Sequence, residues 1–436
     1  MKEKNIVEYF DRIKADRPKW EQRNAYYYRY LKNLINFLVP EDKKVLRIEV
    51  GDSRFWKETL GLLPGSCDYV VATDVLGYEA DIQAFMTKAS KLINTEGRVV
   101  ITQYNALWEP ILRLASKLGL RMPLVEQNWL SLHDLKNFAH LSGLEVVKSG
   151  TKLIFPKYIP ILSTLLNKFL ANIFPFSRLG VFHYLVLRQP EKRAVSSPSL
   201  SIIVPARNEA GTIEKIVQEL PELGLFTEII FIEGNSTDNT YDEIVRIAEK
   251  YKNKKRIKYA KQMGKGKGDA VRKGFEMAEG DILAIYDADM TVPAEEMSKF
   301  YQAIVENKGD FINGSRLVYP LEKESMRTLN IFANKFFGFA FSTILGQRLK
   351  DTLCGTKVLW KKDYEDIKKN RKFFGDFDPF GDFDLLFGAA KLNLKIIDLP
   401  IHYKERTYGT TNISRFRHGW LLLKMTLFAA RKIKFI

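Results

Sequence analysis

The chain has 436 residues, 46% of them hydrophobic, with 27 glycines and 16 prolines, a composition that buries two or three cores and excludes a disordered, collagenous or fibrous chain. A formal charge of +16 calls for an anionic partner; the basic excess runs through both halves without a nucleic-acid motif, so a membrane surface is expected and no nucleic acid. Two cysteines, Cys67 and Cys354, cannot build a disulfide framework and suit a reducing, cytoplasmic setting.

In chain order, the first unit is expected over 1–190. VLRIEVGDSRFW at 45–56 opens with a strand, Asp68 to Ala72 (DYVVA) is a second, and a helix and a turn at Gly97 lead into a third at Arg98 to Thr102. The run resembles the central part of a class I S-adenosylmethionine-dependent methyltransferase over about 45–187, its strand, helix and turn being similar to that family's fourth and fifth strands. Where the family has a glycine-rich loop, this chain has Gly51 alone, and the interval from Ile48 to Tyr69 is too short for two further strands with their helices. The expectation is a truncated Rossmann-like sheet without a complete cofactor pocket, and S-adenosylmethionine is not expected as a cofactor. Asp52 and Asp74 follow strands, as remnants of a ligand-facing edge or as turn formers. Such a unit would serve in interaction or membrane docking.

The polar stretch RQPEKRAVSSPS at 188–199 marks the join, with the linker placed at 191–199. Beyond it, strands at Leu200 to Val204, Glu228 to Glu233, Ile257 to Ala260 and Ile282 to Tyr286 alternate with helices near 241–251 and 269–278 and a helix started by the turn at Pro205 and Asn208. This alternation argues for a parallel sheet with helices on both faces and a nucleotide crevice at its carboxyl edge. The last strand ends in Asp287, Ala288 and Asp289. Residues i and i+2 of an extended chain share one side, so the two carboxylates converge. They suit a hard cation, Mg²⁺ or Mn²⁺, that takes its remaining ligands from water and substrate phosphates.

The ordered motifs P-x-x-N-E (205–209), E-G-N-S-T-D-N-T (233–240), G-K-G-x-A (266–270), D-A-D (287–289) and G-S-R (314–316) resemble glycosyltransferase family 2, and within it the dolichol-phosphate mannose synthase type of polyprenyl-phosphate transferase. The likeness covers roughly 199–415. It implies an α/β GT-A domain, placed at 200–414, a nucleotide-sugar donor, a divalent metal and inversion at the anomeric carbon. It assigns Pro205, Ala206, Glu209 and Glu233 to the donor's base and ribose, Gly266, Gly268 and Asp269 to the nucleotide pocket, and Asp287 and Asp289 to donor and metal. Glu233 stands where the family often has Asp, which leaves GDP against UDP open. Arg316 and Arg406 are candidates for bidentate contacts to phosphate oxygens.

A second acidic cluster, Asp376, Asp378, Asp382 and Asp384, lies among aromatics before a helix near Leu385 to Leu392. Asp382 and Asp384 align with the family's D-x-E-L-L segment, with Asp at its second acidic position. Either is a helix cap or a general base; a sugar hydroxyl acceptor needs a base, a lipid phosphate does not. KDTLCGTKVLWKKD at 350–363 resembles the family's acceptor-side D-x-x-x-G loop through Asp351, Thr352 and Gly355, with Lys357 and Arg348 able to meet an acceptor phosphate. The acceptor is thus expected to be a polyprenyl phosphate or a glycan.

The last 22 residues, 415–436, carry Arg417, Lys424 and Arg431 at seven-residue intervals with Trp420, Leu421, Leu423, Leu427 and Phe428 around them, a basic amphipathic helix that is interfacial or a core helix with a charged edge. Tyr158 to Phe176 and Ile331 to Gly346 are two further stretches suited to a lipid surface. None is an unbroken apolar span of about 20 residues, so no transmembrane helix is expected, and the Lys-rich start lacks a secretory signal. The expected location is cytoplasmic, peripheral at the inner face of the membrane.

Overall fold

The computed structural model describes residues 16–49, 62–123, 127–190, 193, 195–320, 328–373, 381, 383–406, 408 and 415–435. Gly51, Asp52, Asp376, Asp378 and Asp382 therefore lie outside the described residues, as does the side chain of Arg417. The chain divides into two compact units, Met1–Glu191 with Lys434–Ile436, and Lys192–Ile433.

The first unit is built on β1 (Val45–Glu49), β2 (Cys67–Thr73), β3 (Ile93–Tyr104), β4 (Glu145–Lys152) and β5 (Phe182–Arg188), in the order β1-β2-β3-β5-β4. The first three run parallel, and β5 is antiparallel to both β3 and β4. Alternation along β2 sends Val70 and Ala72 into one core with Phe85 and Met86 of the helix Ile82–Leu92. Tyr69 and Val71 enter the other, with Leu31, Leu34 and Leu38 of the helix Ala25–Leu38. Both faces are covered, which is why DYVVA reads as a continuous apolar run rather than as alternation. The third strand begins five residues before the expected Arg98, so Gly97 sits inside it instead of in a turn. A side chain there would put its Cβ 2.7 Å from the Ile93 Cβ, so glycine is what lets the strand bend.

The second unit carries β6 (Leu200–Ala206), β7 (Thr227–Glu233), β8 (Arg256–Lys261), β9 (Ile282–Ile285), β10 (Phe311–Ser315), β11 (Lys357–Trp360) and β12 (Ile396–Pro400), in the order β12-β10-β11-β9-β6-β7-β8. The half made of β9, β6, β7 and β8 is parallel, as the βα alternation requires. The four strands from which a parallel sheet was expected are parallel, and the sheet as a whole is mixed because β11 runs antiparallel to both β9 and β10. Leu200, Ile202 and Val204 of β6, Ile229 and Phe231 of β7 and Ile282 and Ala284 of β9 pack with Ile213, Ile216 and Val217 of the helix Ile213–Glu219 and Met297 and Phe300 of the helix Glu296–Val305.

In the C-terminal helix Arg415–Ala429 the buried positions among the described side chains are Leu422, Met425, Thr426 and Ala429, with Ile433 after it. Trp420, Lys424, Leu427 and Arg431 are exposed. The helix thus seats its own apolar stripe in the unit while leaving Trp420 and Leu427 beside the basic side chains. Among the described residues no helix is long and apolar enough to cross a membrane.

Candidate active site

Parallel pairing aligns the carboxyl ends of β6, β7 and β9. Ala206 is in register with Glu233, and Ile285 lies opposite Ile203, so the chain leaving β9 delivers Asp287 and Asp289 beside the ends of β6 and β7. The loops after β6 and β7 are stitched together. The Asn208 backbone N–H donates to Ser236 Oγ at 3.0 Å, the Asn208 side chain accepts from the Thr237 N–H at 2.8 Å, and the Glu209 N–H donates to Thr240 Oγ1 at 2.9 Å. Asn208 and Asn235 both adopt positive φ, which asparagine tolerates better than most residues. Glu233, buried at the end of β7, accepts from the Ser236 N–H and so orders its own loop.

Each carboxylate of the Asp-Ala-Asp is met by a cation. Asp289 accepts from the Thr291 N–H and hydroxyl at 3.1 and 2.8 Å through one oxygen, and from Arg406 at 2.7 Å through the other. Arg406 also reaches Glu209 at 2.7 Å, bridging two acidic residues 80 positions apart in sequence. Burial pushes the Glu209 carboxyl up to about 7, aided by the charge of Asp289 and opposed by Arg406. Asp287 is ion-paired with Lys267 at the start of the helix Lys267–Met277. Burial opposes the charge of Asp287, but Lys267, with Lys357 and Arg316 beyond it, holds its carboxyl below the usual range.

Lys267 was not among the residues expected at the site, although the alternation of lysine and glycine in KGKG put a cation there in plain view. Gly266 precedes it at φ 86°, a conformation that favours glycine. Asp269 turns back to accept from the Gly264 N–H at 2.8 Å, ordering the loop it was expected to line. Gly268 packs on Gly381: a Cβ on Gly381 would fall 2.6 Å from the Gly268 Cα.

The D-x-x-x-G loop meets the first carboxylate directly. A Cβ on Gly355 would fall 2.0 Å from Asp287 Oδ2 and 2.3 Å from Lys267 Nζ, so only glycine leaves that oxygen open. Asp351 is fully buried and grips Arg316 through both oxygens, at 2.7 and 2.9 Å, while also accepting its backbone N–H at 3.2 Å. The Arg316 guanidinium stacks 5.1 Å from the Tyr403 ring. Its fork is committed to Asp351, so Arg316 braces the loop and does not face outward as a phosphate ligand in this state. Lys357 is likewise buried, donating to the Cys354 carbonyl. Asp384 lies 3.4 Å from Arg371 and 3.9 Å from Arg272.

The two carboxylates are hard oxygen donors of the kind Mg²⁺ and Mn²⁺ take. Among the described residues no group of three His, Cys, Asp or Glu side chains converges on one point. The set therefore fits an ion that completes its shell with water and substrate phosphate, and does not fit an all-protein cage.

Comparison with known proteins agrees with this arrangement. The sequence profile described as glycosyl transferase family 2 matches residues 201–368. The chain is 27% identical over 226 residues to glycosyltransferase AglJ of Haloferax volcanii, covering 51% of this chain and 69% of AglJ. It is 34% identical over 254 residues to the dolichol-phosphate mannosyltransferase of Pyrococcus furiosus, covering 54% of this chain and 67% of that protein. Across such relatives the chain spans between 33% and 69% of their length. Among solved structures it is similar to glucosyl-3-phosphoglycerate synthase from Mycobacterium tuberculosis, crystallised with Mn²⁺, uridine diphosphate and glucosyl-3-phosphoglycerate, at 16% identity and a TM-score of 0.39 over 54% of this chain and 80% of that one. A carboxylate pair at the edge of a mixed α/β sheet, the stitched β6 and β7 loops and the match across them make the chain a member of glycosyltransferase family 2, a sugar-transferring enzyme.

Proposed function

We propose that the chain moves a sugar, with inversion, from a nucleotide-sugar donor to a polyprenyl phosphate at the cytoplasmic face of a membrane. The observation that carries this reading is the placing of Asp287 and Asp289 at the edge shared by β6, β7 and β9, each countered by a cation that a charged ligand can replace. In this reading the second unit is a GT-A domain, with Pro205, Ala206, Glu209 and Glu233 around the base and ribose and the Gly266 to Asp269 loop along the nucleotide. Asp287 and Asp289 would hold Mg²⁺ or Mn²⁺, which when bound neutralises charge developing on the departing diphosphate. Lys267 and Arg406 stand within reach of the same oxygens, and donor entry exchanges their carboxylate partners for phosphate. Glu209 then holds Arg406 at the rim.

Two features favour a phosphate acceptor over a saccharide hydroxyl. The acceptor phosphate is already anionic and needs no base, and Asp384 is engaged by Arg272 and Arg371. The helix Thr328–Leu345 leaves Phe332, Phe336 and Phe339 exposed at helical spacing, an apolar face suited to a polyprenyl tail. The first unit, in the same reading, is a truncated methyltransferase-like sheet that does not use S-adenosylmethionine.

Thermal stability of the purified chain against GDP, UDP, dTDP and S-adenosylmethionine, with and without Mn²⁺, tests the donor class, because a ligand of the native state raises the melting temperature. A metal-dependent rise with one nucleotide is expected, followed by sugar transfer to a polyprenyl phosphate in detergent. A rise with S-adenosylmethionine alone would overturn the assignment.

A further inference from the structure

The segment between β4 and β5 of the first unit, residues 153–181, is built inside out. Its well-buried positions include Ser163, Asn167 and Asn172, while Ile161, Leu165, Phe169, Ile173, Phe174 and Phe176 are exposed, Ile161 by 85% and Phe174 by 69%. The inversion is held by specific bonds. Asn167 accepts from the Phe155 N–H and donates to the Phe155 carbonyl, both at 2.8 Å, and also donates to Tyr26 Oη at 3.2 Å. Ser163 accepts from the Ile159 N–H at 2.6 Å and donates to the Lys157 carbonyl at 2.9 Å. Asn172 accepts from Lys152 Nζ at 2.6 Å. Ile161 itself sits at φ 66°, where a β-branched side chain is an outlier. Polar groups buried beside Leu153, Ala171 and Val181, with the larger apolar side chains turned outward, mark a surface that meets something less polar than water.

A second apolar strip lies alongside. Leu107, Ile111, Leu114 and Leu118 are all exposed, and their spacing puts them on one face of the helix Glu109–Lys117 and its flanks. Both ends of this strip are tied to the segment. Trp108 Nε1 donates to the Leu179 carbonyl at 2.7 Å. Arg23 donates to the Gly119 carbonyl at 2.5 Å while its own carbonyl accepts from Lys157 at 3.1 Å. The charge pattern selects the occupant. Residues 153–181 contain Lys157, Lys168 and Arg178 but no aspartate or glutamate. Arg178 lies over the Phe174 ring at 5.1 Å, a cation flush with the apolar surface.

We propose that this face of the first unit is a monotopic membrane-binding surface whose occupant is the anionic leaflet of a lipid bilayer. The apolar side chains enter the acyl boundary while Lys168, Arg178, Arg113 and Lys117 meet lipid headgroups. The inference stands apart from the choice of donor and acceptor, since none of these residues belongs to the second unit.

The test is sedimentation of the full chain with vesicles of phosphatidylcholine alone and of phosphatidylcholine with about one third phosphatidylglycerol, with salt dependence as a second axis. The variant Ile161→Asp/Phe174→Asp changes two exposed side chains, and aspartate tolerates the positive φ at 161. Leu225→Glu, at a site exposed by 78% in the second unit, is the control. Wild type and control are expected to bind the anionic vesicles, with the double variant weakened at least tenfold and its nucleotide-dependent melting shift unchanged. The proposal falls if wild type binds neither vesicle, or if the double variant binds as wild type does. It falls equally if the double substitution abolishes self-association seen by analytical ultracentrifugation while vesicle binding persists, which would make the face a contact between copies.

Discussion

Both units place an aspartate just beyond the carboxyl end of a parallel strand, Asp74 after β2 and Asp287 after β9, and the two have opposite fates. Asp74 is buried among hydroxyls, accepting from Tyr27 at 3.0 Å and Thr102 at 3.4 Å, and burial raises its carboxyl to about 6. Asp287 meets the Lys267 ammonium, which reverses the effect of burial and keeps the charge. The lesson is that position at a sheet edge does not make a carboxylate functional. An acid that keeps its charge through an exchangeable cation can bind a metal; Asp74 is pushed toward its neutral form by burial, against the Tyr27 and Thr102 hydroxyls and the charge of Arg121, which favour its ionised form.

The largest expected effect breaks the second unit at its brace. Asp351→Ala leaves the Arg316 guanidinium, itself well buried, without its bidentate partner, and removal of one member of a buried pair costs about 3 to 5 kcal/mol. A clear fall in the melting temperature of this unit is the readout; unchanged stability would mean that Asp351 faces ligand and does not hold the loop. Next is Asp289→Ala, which removes a proposed metal ligand while leaving Asp287 and its Lys267 in place. Loss of one preorganised charge stabiliser costs about 2.7 to 4 kcal/mol of transition-state energy, roughly a hundred- to a thousandfold in rate. Sugar transfer should fall by that factor with stability preserved. Retained transfer with unchanged metal dependence would end the metal assignment.

These contrasts were only partly legible in sequence. The strands expected at Leu200 to Val204, Glu228 to Glu233, Ile257 to Ala260 and Ile282 to Tyr286 fall within two residues of β6, β7, β8 and β9; β6, β7 and β9 are short, largely apolar runs cut off by turn chemistry, while β8 is a partly exposed edge strand. The antiparallel β11 was hidden, since KVLW looks the same in either direction and its sense is set by distant neighbours. The Arg406 bridge to Glu209 spans 197 positions and leaves no local pattern. The inside-out segment at 153–181 was visible as an apolar stretch, but periodicity does not say which side faces the core when the buried groups are Ser163, Asn167 and Asn172. At the C-terminus the seven-residue spacing of Arg417, Lys424 and Arg431 left open whether the helix is interfacial or a core helix with a charged edge, and the structure buries Leu422, Met425 and Ala429 while leaving Trp420 and Leu427 exposed.

The smallest effect sharpens the comparison from the side of the first unit. In the unfolded chain Asp74 titrates near its ordinary 3.8, and in the folded unit near about 6. Between those values the folded state holds a proton that the unfolded state has released, so raising the pH through this window lowers stability, and the loss is complete above about 6. A tenfold change in proton affinity is worth about 1.4 kcal/mol, which makes the full penalty about 2 to 3 kcal/mol. Asp74→Asn retains an acceptor for Tyr27 and cannot ionise, so the variant should match wild type near pH 4 and exceed it near pH 7. The difference is read from urea unfolding of the full chain at the two pH values, followed by a probe of the first unit. Equal stability at both would mean that water reaches Asp74 and that its edge is as open as that of Asp287. A variant less stable at both would mean that the ionised carboxylate is itself what Tyr27 and Thr102 are arranged to hold.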